Sequence, residues 1–286
     1  MTVKELYQEF KDVFITWDDK SYQSSLRVLK NNRHNLIEED FKELERILYE
    51  EEHTQFVPRI LEFVESFPEY LFNPLIDQLI KTNNNEFIDP CLRVFGGIKT
   101  NKKIQEIIKN SKGRIKCNAL FMLYYCIDAE YLWDETTESY EVDLSNLAVL
   151  NNDNSKLHNR SSLIFDVNSD KEYFVLNESF LFDRYSFLLS EFLNESNNLI
   201  EKYFINLLLP KKLSVYPFKL EETAKKVIKL SKKLKIPDNM TDLEKRIQGD
   251  KELEMYAVDE LKWDIKRITP AKKSYPPWKG WAQFLA

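Results

Sequence analysis

A chain of 286 residues with 43% hydrophobic and 13% aromatic side chains can bury a sizeable core, in one elongated domain or two compact ones, which excludes a disordered or low-complexity polypeptide. The net charge of −6 hides a division: residues 1–210 hold 23 Lys and Arg against 36 Asp and Glu, and residues 211–286 hold 18 against 11. No stretch approaches the roughly eighteen apolar residues that span a bilayer, and the N-terminus enters an amphipathic pattern with no secretory apolar region, so a cytoplasmic protein without membrane association is expected.

Five glycines in the whole chain, with plentiful Leu, Ile, Phe, Lys and Glu, make a helix-rich composition with few tight turns. Abundant Asn, Lys and Ile also fit an AT-rich bacterial genome. The three cysteines, Cys91, Cys117 and Cys126, all stand in apolar helical context and read as core thiols in a reducing compartment.

In chain order, Val3–Ile15 and Ser21–Lys30 read as helices, set off from the later chain by the polar run Asn31–Asn35. A sixteen-residue rhythm then runs from Phe41 to Ile104, marked by Pro58, Pro74 and Pro90. Leu44, Ile60, Ile76 and Leu92 form one apolar register, Ile47, Phe63, Leu79 and Phe95 a second, and Phe56, Phe72, Ile88 and Ile104 a third. Proline is accepted in the first helical turn, where its missing N–H has no partner to lose. Asn73 before Pro74 and Asp89 before Pro90 therefore predict capped helix starts, and Gly96-Gly97 predicts a left-handed helix end.

A short helix plus a turn, repeated at fixed spacing, is the pattern of an α-solenoid. Residues 41–104 resemble the HEAT and armadillo repeats in architecture, two blocks making one helical hairpin of thirty-two residues. The resemblance implies a mainly α fold: an α-α superhelix, built as a short HEAT-like array, that presents a binding surface.

Beyond the repeats, Ile115–Ile127 predicts a helix hydrophobic nearly all round and central to a core. Helical period is lost from about Asp134 to Asn177; there Leu163–Val167 and Glu172–Leu176 flank a polar turn and predict a small β-hairpin over 163–176. Helices resume at Phe180–Leu193, Leu199–Leu208 and Leu220–Leu234, the last with a heavily basic face. Another starts at Asp242, with Val258, Leu261, Ile265 and Ile268 as its buried stripe. The resulting division is a helical repeat region (1–133), an irregular insertion (134–178) and a basic helical region with an aromatic tail (179–286).

Motifs for chemistry are sparse. Gly96-Gly97 closes a helix and cradles no phosphate, and neither a Walker sequence nor a nucleophile elbow is present. His34, His53 and His158 are far apart and no cysteine pair has ligand spacing, so no metal or other cofactor is expected. Glu50 and His53 make half of a di-iron Glu-x-x-His motif with no second copy. Asp250 with Glu260-Leu261-Lys262 has nuclease-like composition but helical period, and Trp133-Asp134 alone is a weak glycosylase signal.

The clearest surface feature is the acidic run around Glu38, Glu39, Glu43, Glu50, Glu51 and Glu52. Such a face speeds docking of a basic protein, and Trp278 and Trp281 in the tail are of the type that anchors partners. The expectation is a non-enzymatic scaffold that captures a basic protein, as a bacterial immunity protein captures a toxin. The alternative is a nucleic-acid-binding repeat protein, glycosylase-like or nuclease-like, that uses the basic C-terminal segment.

Overall fold

A computed structural model of the chain describes residues 2–16, 24, 36–51, 54–62, 64–126, 131–134, 139–142, 178–194, 198–213 and 216–263. The fold is mainly α, and among the described residues no helix is long and apolar enough to cross a membrane. Two compact units are formed, one from Met1–Thr100 with Ala129–Asp143 and the other from Asn101–Asp128 with Leu144–Ala286.

In the first unit α1 (Val3–Thr16) packs against α2 (Glu38–Glu50) and α3 (Phe56–Leu61). Next, α2 packs on α4 (Phe72–Thr82), and α3 on α5 (Ile88–Phe95). Alternate helices pairing in this way is compatible with a helical-repeat architecture. The first apolar register supplies its spine: Leu44, Ile60, Ile76 and Leu92 are at most 1% exposed. Ile47 and Leu79 are equally buried, and Phe95 is held edge-on by Phe67 and Phe72, with ring centroids 5.3 and 4.9 Å away. Phe63 lies outside the described residues, and Ile104 falls in the second unit.

The prolines work differently from expectation. Asn73 and Asp89 do not cap; they are the second residues of α4 and α5, which begin at Phe72 and Ile88. Each helix is led in by a 3-10 turn, Glu69–Leu71 and Asn85–Phe87, that carries the chain into helical geometry one turn early. The side-chain cap belongs to Asn84, which accepts from the Glu86 N–H at 3.0 Å. Pro74 and Pro90 remain within the first turn, so no helical hydrogen bond is lost. Gly96 ends α5 at φ +82°, a conformation that favours glycine.

Within the same unit, β1 (Tyr131–Asp134) and β2 (Ser139–Val142) pair antiparallel, Tyr131 opposite Val142 and Asp134 opposite Ser139. The predicted hairpin at 163–176, like the predicted helix at 21–30 apart from Ser24, lies outside the described residues.

Helix α6 (Gly97–Asn110) contains the division between units, after Thr100. The second unit continues with α7 (Gly113–Leu123), α8 (Glu178–Leu193), α9 (Leu199–Leu208), α10 (Phe218–Leu234), α11 (Met240–Gln248) and α12 (Lys251–Met255). Helix α8 packs on α9 and α10, and α9 on α7. Contrary to expectation, α7 is not apolar all round: it exposes Ile115 (54%) and buries Lys116 and Asn118.

The helix expected from Asp242 is two helices. Asn239 caps α11, Gly249 closes it, and the Asp250 carboxylate restarts the chain by accepting from Glu252 and Leu253 N–H groups. A π-helical turn, Tyr256–Glu260, then adds a residue to the spiral, so Val258 leaves the buried stripe and is 42% exposed while Leu261 stays at 1%. Ile265 and Ile268 lie outside the described residues.

Lys235 ends α10 at φ +53°, with its N–H and that of Ile236 directed back to the Ser231 carbonyl. This is a left-handed helix end made by a residue with a Cβ, which costs about 1 kcal/mol relative to glycine. Lys235→Gly should therefore raise stability by about 1 kcal/mol, seen as a higher urea midpoint with unchanged slope.

Candidate functional site

The structure sorts the predicted acidic residues into two faces of α2. On one, Arg46 binds Glu43 through two nitrogens at 2.8 and 2.9 Å and Glu50 at 2.6 Å, with Glu51 at 3.9 Å. Lys11 lies 3.7 Å from Glu51. These three carboxylates share two cations, so most of their charge is already offset. Asp40 is also occupied, accepting from the Ile37 and Val3 N–H groups at 3.1 Å and so fastening α1 to the start of α2.

The other face presents charge beside aromatic surface. Tyr49 is 60% exposed. Its hydroxyl is held above the usual phenol range by loss of surrounding water and then by the charges of Asp77 and Glu45. Tyr70 donates to Glu38 at 3.0 Å and is pushed up to about 12 by desolvation, by that bond, and by the charges of Glu38, Glu45 and Glu39. Glu38, Glu45 and Tyr49 recur at helical spacing on one face of α2, Tyr70 is bonded to Glu38, and Glu45 acts on both phenols, so Glu38, Glu45, Asp77, Tyr49 and Tyr70 form one patch with Glu39 at its edge. Of the predicted residues, Glu38 belongs to it, Glu39 lies between it and the Arg46 face, Glu43, Glu50 and Glu51 belong to the Arg46 face, and Glu52, Trp278 and Trp281 lie outside the described residues.

The second unit holds a buried charge cluster that sequence reading missed. Lys116 on α7 places its ammonium 2.9 Å from Glu191 of α8 and 3.4 Å from Glu201 of α9. The other Glu201 oxygen accepts from the Tyr256 hydroxyl at 2.7 Å. All three charged side chains are largely removed from water, at 7, 13 and 8% exposure. Beside them the Cys117 thiol is driven well up by burial and by the charge of Glu201, leaving it an inert core group. The available signal was a lysine within a segment otherwise apolar enough to be central.

Glu191 also lines a cleft of about 500 Å³ whose wall includes Ser186, Ser190 and Asn194 from α8 and its end, and Leu220 and Thr223 from α10. Hydroxyl and amide groups suit a polar guest, but no histidine lines the cleft to activate the serines, and Glu191 is engaged by Lys116. Among the described residues no group of three or more His, Cys, Asp or Glu is placed to hold a metal ion. Comparison with protein-family models, curated proteins and solved structures gave no match for this chain.

Two substitutions probe these charge arrangements. Lys116→Met leaves two buried carboxylates facing each other and should cost about 3–5 kcal/mol; adding Glu201→Gln should recover part of that loss in urea unfolding. On α2, the Arg46 hydrogen bond holds the Glu43 carboxyl below its usual value, against burial and with help from the charges of Arg46 and Lys4. A lowered folded pKa gives stability that is complete above the unfolded value of 4.5 and is lost as pH falls through the folded one. Arg46→Gln should thus cost up to about 1 kcal/mol at neutral pH, screened because the pair is partly exposed, and its deficit should fade as the protein is acidified below 4.5.

Proposed function

We propose that this protein is a non-enzymatic binding scaffold, a short HEAT-like stack whose acidic face in the first unit captures a basic protein, in the manner of an immunity protein and its toxin. The observation that carries this reading is the patch in which Tyr49, 60% exposed, and Tyr70 stand among Glu38, Glu39, Glu45 and Asp77. Exposed tyrosine supplies rigid contact area at little entropic cost and is enriched among the residues that dominate interfaces. The surrounding carboxylates steer a cationic partner and reject an acidic one. Glu43, Glu50 and Glu51, being paired with Arg46 and Lys11 and so reduced from three negative charges to one, contribute less to that field than their number implies.

A second reading rests on α10, which exposes Lys219, Lys225, Lys226, Lys229, Lys232 and Lys233. Six cations along one helix suit a phosphate backbone, and binding of that kind weakens steeply with salt.

The two readings separate by charge reversal. Affinity capture should retain one dominant basic protein on the wild-type chain. Glu38→Lys with Glu45→Lys and Asp77→Lys should abolish retention, Tyr49→Ala should weaken it at least tenfold, and Glu43→Lys with Glu50→Lys should change it little. Retention lost only when α10 lysines are reversed, together with shifted mobility of a single-stranded oligonucleotide at low salt, would overturn the first reading for the second.

A further inference from the structure

Helix α10 turns its apolar side inward, where Leu220, Ala224 and Val227 are buried in the second unit. At 3.6 residues per turn the opposite side carries Lys225, Lys226, Lys229, Lys232 and Lys233, all exposed, with Lys219 at its margin. The acids of the helix are Glu221 and Glu222, and Glu222 stands 3.5 Å from Lys225 in a pair that is itself open to solvent.

One residue breaks the pattern of the lysine face. Phe218 is 87% exposed, more than any other large apolar side chain among the described residues. A single apolar group on a surface is ordinary, but the position of this one is not. Lys225, Lys229 and Lys232 follow it at i+7, i+11 and i+14, so the ring stands in line with the ammonium groups, the last about 21 Å along the axis. The chain leading into the helix adds exposed Lys212 and Leu213, the latter at 37%.

Two polyanions answer such a charge: nucleic acid, as in the second reading above, and a layer of anionic lipid headgroups. The make-up of the face favours lipid. Helix α10 has no Arg, Asn, Gln or His, the side chains that fork onto phosphates or read base edges. It has one aromatic ring in place of the series on which successive bases stack. Lysine is a point charge on a flexible apolar stem, suited to a diffuse headgroup layer with its methylenes against the hydrocarbon below. A phenyl ring in that row reaches past the headgroups and buries among the acyl chains. The negative total charge of the chain does not oppose this contact, because charges more than about 8–10 Å from the bilayer are largely screened. Contact of this kind lies on the bilayer and needs no spanning helix.

We propose that the exposed face of α10 binds the surface of an anionic lipid bilayer, with the lysines on the headgroup phosphates and Phe218 inserted beneath them. It is a binding surface additional to the acidic patch on α2 and independent of it.

Co-sedimentation of the full chain with vesicles of phosphatidylglycerol and phosphatidylcholine in equal parts provides the test, with pure phosphatidylcholine vesicles and a single-stranded oligonucleotide as comparisons. The wild type should bind the anionic vesicles and leave the neutral ones. Lys225→Glu with Lys229→Glu should weaken that binding about a hundredfold, and Phe218→Ala about tenfold. Phe218→Trp should retain the affinity and add emission that moves to the blue when vesicles are present. All these side chains are exposed, so the urea midpoints of the variants should match the wild type. No retention on anionic vesicles, equal retention on neutral ones, or unaltered binding by either the lysine or the Phe218→Ala variant overturns the proposal. So does lysine-dependent binding of the oligonucleotide without retention on anionic vesicles, which assigns the face to nucleic acid.

Discussion

An ammonium group taken out of water has to be matched where it lies, and Lys116 imposes that condition on the second unit. Its position in α7 is fixed by the buried residues on either side, Cys117, Ala119 and Leu120 among them, so the charge cannot swing out to solvent without moving the helix. Two carboxylates must therefore come to it, one from α8 and one from α9. The second oxygen of Glu201 then needs a donor of its own, which Tyr256 supplies. One buried charge thus specifies the mutual placement of three helices and the π-helical turn. Coulombic attraction in such a site roughly offsets the cost of desolvation, so the gain is in specificity of arrangement more than in stability. Apolar side chains could fill the same space, but they would tolerate several packings.

The first unit handles charge in the opposite way. Its interior is held by apolar registers and a few neutral contacts, such as buried Gln78, which donates to the Leu48 carbonyl and accepts from Thr54 at 3.2 Å. Among its described residues the charges stay outside, where pairing is weak and salt-dependent. Arg46 quiets one face of α2, and the remaining acidity is concentrated beside Tyr49 and Tyr70. The binding surface proposed above depends on what the internal pairs leave unneutralised, which a count of acidic residues alone does not give.

That distinction marks how far the sequence was legible. The apolar registers could be read because burial of Leu44, Ile60, Ile76 and Leu92 follows directly from periodic spacing. The helix ends were misread because a 3-10 lead-in places Asn73 and Asp89 inside helices, and a dipeptide cannot distinguish a cap from a second position. The pairing of Arg46 with Glu43 and Glu50 was available from i,i+3 and i,i+4 spacing. The bond from Tyr70 to Glu38 spans 32 residues and was not. Lys116, Arg184 and Glu201 each stand in strongly apolar helices, which signals buried charge but names no partner. The π-helical turn left no local sign, and with it went the register of Val258.

The spacing of these contacts along the chain has a consequence for its synthesis. Bonds that knit the first unit join residues about a helical hairpin apart, such as Gln78 to Leu48 at 30 and Arg93 to Leu61 at 32. Its helices through Phe95 can therefore pack while the nascent chain is still short. Lys116 must wait: Glu191 is 75 residues further on, and the Tyr256–Glu201 bond closes another 55. Until those segments leave the ribosome, Lys116 lacks the two carboxylates that face it in the finished fold. The second unit therefore cannot complete its buried charge cluster until most of the chain has been made, whereas the contacts of the first unit close over short stretches.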